Sequence, residues 1–165
     1  MSMTSGVLSV WRCPWLVNFC FFWLPPLLLT AGIFILAGDL GSTSKFRLPV
    51  IILQFLLPSL SMSEIVWISD ILRKVAHFLV YGLLLIGYAR AWHWHIRMKP
   101  LPAIVLALMI CLAVSAADEA RQALHRSRSG CPQDVALDMS GALAAAGVMY
   151  PLLRRGRRDQ PKSEL

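Results

Sequence analysis

The sequence predicts an all-α integral membrane protein: a bundle of about four transmembrane helices with a short interfacial or re-entrant segment after the first. Two observations support this class. The chain of 165 residues is 57% hydrophobic and only 15% charged, whereas soluble domains carry about 25% charged residues. Its apolar residues also gather in runs of about 17 to 25 residues, the length that crosses a hydrocarbon core as a helix.

Four apolar runs are predicted to span the membrane. They are Leu16 to Leu36, Ile71 to Trp92, Leu101 to Ala117 and Val135 to Leu153. Pro25 and Pro26 lie inside the first run, where we expect a kink and not a helix end. This run is longer than the apolar core of a signal peptide, usually about 7 to 15 residues, and no convincing small-x-small cleavage site follows it. We therefore interpret it as the first span.

The fourth run is less hydrophobic because it is rich in alanine and glycine and carries Asp138 near its start. Small residues allow membrane helices to approach each other closely. We expect such contacts at five small residues of the second and fourth spans, namely Gly82, Gly87, Gly141, Ala145 and Gly147.

A shorter apolar run, Leu48 to Leu57, follows the first span, with Pro49 and Pro58 at its two ends. About ten residues are too few to cross a bilayer as a helix. We predict that this run lies over the bundle as an interfacial or re-entrant segment. Residues 1–153 are thus expected to form a single membrane domain, and residues 154–165 a basic cytoplasmic tail.

The basic residues predict the orientation of the chain. Nine of them collect at the two chain ends and in the connection between the second and third spans: Arg12, Arg90, Arg97, Lys99, Arg154, Arg155, Arg157, Arg158 and Lys162. The positive-inside rule places that side, with both termini, in the cytoplasm. The contrast is weakened by seven basic residues on the other side, most of them amid carboxylates: Lys45, Arg47, Arg73, Lys74, Arg121, Arg126 and Arg128. The basic tail can rest against anionic lipid headgroups, and nothing in the sequence indicates a nucleic-acid module.

The second span begins with a polar stripe. Lys74, His77 and Tyr81 are spaced i, i+3 and i+7, which places their side chains on one face of a helix. They lie where the chain becomes continuously apolar. Ionisable side chains near a bilayer core are costly and usually mark a functional site.

Polar residues of the third and fourth spans are expected to meet this stripe at the outer face. They are Asp118, Glu119 and Gln122 at the end of the third span, Arg126 and Arg128 in the following loop, and Asp134, Asp138 and Gly141 at the start of the fourth. Asp118 and Gln122 lie one helical turn apart, so they share a face. We therefore predict a polar pocket formed by three helices.

Three motifs in this region carry a family resemblance: RKxxHFxxY, then DExxQ, then an arginine six positions before DVxxD with a glycine after it. In this order and spacing, over about residues 70 to 150, the chain resembles the VanZ-like family of small bacterial membrane proteins. The resemblance implies a multi-pass protein of the bacterial cytoplasmic (inner) membrane. It also implies a link to the cell envelope and to resistance against the glycopeptide antibiotic teicoplanin, without implying a particular reaction.

The chain departs from the family pattern at three positions. Val80 and Arg121 stand where the family often has an acidic residue and a histidine, and Asp138 stands where it often has asparagine. If the family's chemistry needs an acid beside Tyr81, this chain lacks it.

The first functional hypothesis is an enzyme of phosphate or ester chemistry. Its candidate acid-base residues are His77, Asp118 and Glu119, with either carboxylate orienting the imidazole. The basic side chains of Lys74, Arg126 and Arg128 would hold an anionic group, and Tyr81, Gln122, Asp134 and Asp138 complete the candidate binding set. At the outer leaflet, the anionic substrates are lipid-linked envelope intermediates and phospholipid headgroups.

Two alternatives use the same residues differently. A binding protein would engage an envelope component without turnover. In a purely structural role, the charged cluster would only stabilise the bundle, because an unpaired charge at the centre of a transmembrane helix costs about 2.5 to 3.5 kcal/mol. No cofactor is predicted, and one histidine without an outer cysteine pair makes a poor zinc site.

Overall fold

The structure, a computed structural model, describes residues 14–36, 48–124 and 132–158. Within these ranges there are five α-helices and no strand. They are α1 (Pro14–Leu36), α2 (Leu48–Leu56), α3 (Met62–Arg90), α4 (Pro100–Leu124) and α5 (Pro132–Arg158), and a π-helical turn, Ala91–His95, extends α3. The helices α1, α3, α4 and α5 are long and apolar enough to cross a membrane. The predicted fold class is therefore confirmed.

Helix α3 begins well before the predicted start at Ile71 because a capping box fixes its first turn. The Glu64 amide donates to Ser61 Oγ, and the Ser61 amide donates to the Glu64 carboxylate. This reciprocal pair satisfies two of the amide groups that a helix start leaves unpaired. Helices α4 and α5 also continue past their predicted limits: α4 ends at Leu124 instead of Ala117, and α5 ends at Arg158 instead of Leu153.

The four long helices alternate in direction. At one end, which we call the aromatic end, the Trp15 ring of α1 lies 6.3 Å from the His95 ring that follows α3, and Trp94 contacts Gly156 near the end of α5. At the other end, the polar end, the Arg121 guanidinium of α4 lies 5.6 Å above the Phe34 ring of α1. The start of α1 and the end of α5 therefore both lie at the aromatic end.

Helix α3 is the central element and packs against all the other helices, most extensively against α5. Its buried face includes Tyr81, Leu84 and Leu85, which pack with Ala107 and Cys111 of α4 and with small residues of α5. The opposite faces of the helices carry exposed leucine, valine and methionine side chains. Such a surface is compatible with contact to the lipid tails of a bilayer, because the tails are as apolar as these side chains.

Glycines set the distance between α3 and its neighbours. A β-carbon on Gly141 would overlap the carbonyl oxygen of Phe78, and one on Gly87 would lie 2.9 Å from Pro26 Cβ. At Gly82 it would lie 3.7 Å from Ala145 Cβ. Predicted close packing is confirmed at these positions. It is wrong for Gly147, where an added β-carbon would have no described atom within 4 Å beyond its chain neighbours and the adjacent backbone of its own helix.

Helix α2 is the short apolar segment expected after the first span. Its nine residues are too few to cross a bilayer, and it packs against α3. Most of its side chains are exposed, with Phe55 at 85%. Its interfacial or re-entrant position relative to the bilayer stays a prediction.

Candidate functional site: a histidine-aspartate pair between three helices

One carboxylate joins α3, α4 and α5. Asp138 of α5 is only 2% exposed, yet both of its oxygens have partners. Oδ1 lies 3.1 Å from Nδ1 of His77 on α3, and Oδ2 accepts a hydrogen bond of 2.7 Å from Oγ of Ser115 on α4. A buried carboxylate needs such partners, because removing it from water without them is strongly unfavourable.

This pairing determines which ring nitrogen of His77 carries a proton when the carboxylate is ionised. When Asp138 is ionised it can only accept, so Nδ1 of His77 carries the proton that is donated to Oδ1. The second ring nitrogen, Nε2, is then the basic one and is left for other chemistry. The His77 side chain is 35% exposed, in contrast to the 3% of the Asp138 side chain. The imidazole therefore links a buried carboxylate to the outside of the bundle.

The local sequence explains why these two side chains meet. Gly141 follows Asp138 by about one turn, and the missing β-carbon lets α5 lie directly against the Phe78 carbonyl of α3. Because His77 precedes Phe78, the same close approach brings the imidazole to the carboxylate. The predicted stripe of Asp138 and Gly141 thus faces α3, as the polar-pocket prediction requires.

A small cavity lies beside the pair towards the polar end. It has a volume of about 10 Å³ and is lined by Arg73, Lys74, His77, Asp134 and Leu137. Lys74 precedes His77 by three residues, so its backbone lies about 4.5 Å further along the α3 axis. The cavity is therefore bordered by two basic residues, an imidazole and a carboxylate, and has room for about one water molecule.

Tyr81 lies on the other side of the pair, deeper in the bundle. It is 1% exposed, and its hydroxyl lies near Ser115 without a well-formed hydrogen bond to any described residue. A ligand that approaches through the cavity would reach Tyr81 only if the helices separated. Its position suits packing better than the substrate binding expected from the sequence.

Asp118 belongs to a second cluster on α4. The carboxylate is 3% exposed; it accepts a 2.8 Å hydrogen bond from Gln122 Nε2 and lies 3.4 Å from Arg121 Nη2. The predicted shared face of Asp118 and Gln122 is confirmed. Glu119, also buried, follows Asp118 on the same helix. Asp138, and not the expected Asp118 or Glu119, is the carboxylate that contacts His77.

Ser115, like Arg73 in the cavity, is a residue of the candidate site that sequence reasoning missed. It is fully buried, and its hydroxyl donates a hydrogen bond to Oδ2 of Asp138. The only available signal was a hydroxyl in an apolar run, three residues before Asp118. Two predicted ligands of an anionic group, Arg126 and Arg128, lie outside the described residues.

The fold and this site define a class of protein: a small four-span membrane bundle whose buried carboxylate joins three helices. A family model described as VanZ/LLP1 matches residues 22–154, a range that contains His77, Ser115 and Asp138. The chain belongs to this family, as the three motifs suggested. Comparisons with curated proteins and with solved structures found no match.

Proposed function

We propose that the protein binds an anionic group of a lipid-linked envelope intermediate or phospholipid at the polar end, and that His77 acts on it as a general acid-base. The observation that carries this proposal is the His77 Nδ1 to Asp138 Oδ1 contact of 3.1 Å beside a cavity lined by Arg73 and Lys74. An imidazole held by a carboxylate is a common arrangement for proton transfer.

The charges around the cavity support this chemistry. The ammonium of Lys74 and the guanidinium of Arg73 favour a phosphate or carboxylate. Asp138 stabilises the imidazolium that forms when Nε2 of His77 takes a proton from a water molecule, whose oxygen attacks the phosphorus or carbonyl carbon of an ester. As the ester bond breaks, the same imidazolium can return that proton to the alcohol oxygen that leaves, so the pair needs no additional acid.

The site is proposed to face the outside of the bacterial cytoplasmic membrane. Five basic residues whose side chains the structure describes lie at the aromatic end: Arg90, Arg97, Lys99, Arg154 and Arg155. By the positive-inside rule that end, with both chain termini, is cytoplasmic. Asp138 lies about 9 Å along α5 from Pro132, at 1.5 Å per residue. That depth is within reach of a lipid headgroup.

The test is an assay of the purified protein in liposomes that contain either a lipid-linked envelope precursor or phosphatidylglycerol as substrate. We expect turnover that is lost in His77→Gln and retained in His95→Gln, a matched histidine at the aromatic end. Unchanged turnover in His77→Gln would refute the acid-base role. Binding of either lipid by the wild type without turnover would favour a binding protein, whose effect on glycopeptide susceptibility should scale with copy number.

A structural role for the cluster is the second candidate. It is favoured by the complete pairing of Asp138, whose two oxygens both bind residues of the bundle. In this case the double variant His77→Leu/Asp138→Leu should fold while either single variant is destabilised. A double variant that folds but fails to alter the envelope lipids as the wild type does would instead favour a functional site.

A further inference from the structure

Charge is distributed unevenly between the two ends of the bundle. The six carboxylates whose side chains the structure describes all lie in the half towards the polar end: Glu64, Asp70, Asp118, Glu119, Asp134 and Asp138. The aromatic end has five basic residues whose side chains are described and, among the described residues, no carboxylate to neutralise them. All five side chains are exposed, so these cations are available to anionic groups from outside the described part of the chain.

Two of these cations border a cavity. It has a volume of about 240 Å³ and is lined by Tyr150, Pro151, Arg154 and Arg155, near the end of α5. The Arg154 guanidinium lies 5.6 Å from the centre of the Tyr150 ring, a cation-π contact that holds it in place. A guanidinium that is already ordered loses less conformational entropy when it binds a ligand.

The cavity lies where lipid headgroups are expected. Trp94 packs against Gly156, with ring atom Cη2 3.0 Å from the position that a β-carbon would take there, so the last turn of α5 is anchored on the aromatic turn after α3. Trp15, Phe19 and Phe22 surround the neighbouring His95 ring. Aromatic side chains concentrate at the headgroup level of membranes, and clusters of basic residues immediately beside a transmembrane helix attract anionic headgroups.

We propose that the Tyr150 to Arg155 cavity binds the phosphate of an anionic phospholipid from the leaflet at the aromatic end. The two guanidinium groups can each donate paired hydrogen bonds to phosphate oxygens, and the Tyr150 hydroxyl can donate a further one. The site is separate from the His77 site, which lies in the other half of the bundle, and it does not depend on the proposed acid-base function.

The test measures lipid binding to the full-length protein by native mass spectrometry, with short-chain phosphatidylglycerol, short-chain phosphatidylcholine and inorganic phosphate as probes. We expect the wild type to prefer phosphatidylglycerol. Arg154→Gln/Arg155→Gln should weaken its affinity by about tenfold or more, because each variant side chain loses charged hydrogen bonds. The control, Arg90→Gln/Lys99→Gln, removes the same charge from the same end outside the cavity and should keep the affinity within about twofold.

Three results would overturn the proposal. The first is equal affinity of the wild type for the two lipids. The second is an equal loss in the cavity variant and the control, which would indicate a diffuse charge effect. The third is inorganic phosphate binding as tightly as the lipid, which would indicate a free-phosphate site. If the double variant does not fold, the single Arg155→Gln variant serves instead, with a smaller loss expected.

Discussion

At the polar end, α3, α4 and α5 are joined by directional hydrogen bonds to the single carboxylate of Asp138. At the aromatic end, α1 is joined to α3 and to the π-helical turn after it by ring contacts, such as Trp23 with Tyr88 and with Trp92, the latter at 5.0 Å between ring centres. Ring contacts tolerate small displacements, whereas a 2.7 Å hydrogen bond fixes a position. Precise geometry is therefore kept at the candidate site, and more adaptable packing at the aromatic end.

The largest effect is expected when the shared carboxylate is removed. Asp138→Ala leaves Ser115 without its buried acceptor and His77 without its partner, so we expect a loss of about 3 kcal/mol in the free energy of unfolding. Denaturant titration in detergent micelles measures it. Ser140→Ala, on the same helix, is the control, since Ser140 is exposed and bonds only the nearby Leu137 carbonyl. Equal stability of the two variants would contradict the central role of Asp138.

The close approach of α3 and α5 provides the second prediction. In Gly141→Ala the new β-carbon meets the Phe78 carbonyl, and neither backbone can yield without moving a helix. We expect a loss of about 2 kcal/mol in the free energy of unfolding. Gly147→Ala is the matched control, because the β-carbon it adds would have no described atom within 4 Å beyond its chain neighbours and the adjacent backbone of its own helix. It should be neutral or more stable by up to about 1 kcal/mol, the gain in helix propensity. Similar losses in both variants would indicate that packing at Gly141 is looser than described.

These two positions also show how far the sequence predicts the site. Helical periodicity was sufficient to place Asp138 and Gly141 on one face and to align Lys74 with His77. Periodicity could not identify the partner of His77, because that partner depends on the positions of α4 and α5 along the axis of α3. Asp118 lies about 4.5 Å nearer the polar end than Ser115, and the contact between Gly141 and Phe78 fixes the register at Asp138. Longitudinal register between helices is a tertiary property that no local pattern encodes.

The positions of the four spans, though not their limits, were predictable for a different reason. Hydropathy located the four spans because the bilayer acts as solvent for each span separately. The start of α3 was missed since its first turns, from Met62, carry polar residues and depend on the Ser61 capping box. That signal, a serine followed three residues later by glutamate, is visible in the sequence and was outweighed by the hydropathy profile.

Ser115 allows a sharper test within the polar end. Ser115→Ala removes one of the two partners of Asp138 and leaves the His77 contact in place. We expect a loss of about 1.5 kcal/mol in unfolding free energy, roughly half that of Asp138→Ala, because one buried oxygen loses its donor. The same titration measures this loss. If it equals the loss in Asp138→Ala, the contact with His77 contributes nothing to the stability that Asp138 provides. The variant should also lower any turnover less than His77→Gln does.

The smallest effect is expected in the half of the bundle near the aromatic end. The Thr30 hydroxyl donates to the Pro26 carbonyl at 2.9 Å, so the 3.0 Å contact between Thr30 and Tyr88 must be donated by the tyrosine. Tyr88→Phe removes that donor and keeps the ring that packs against Trp23. Thr30 Oγ1 loses an additional donor but keeps its bond to Pro26, so we expect a loss of about 1 kcal/mol. A loss as large as that of Asp138→Ala would mean that this half also depends on directional bonds, and the contrast between the two ends would fail.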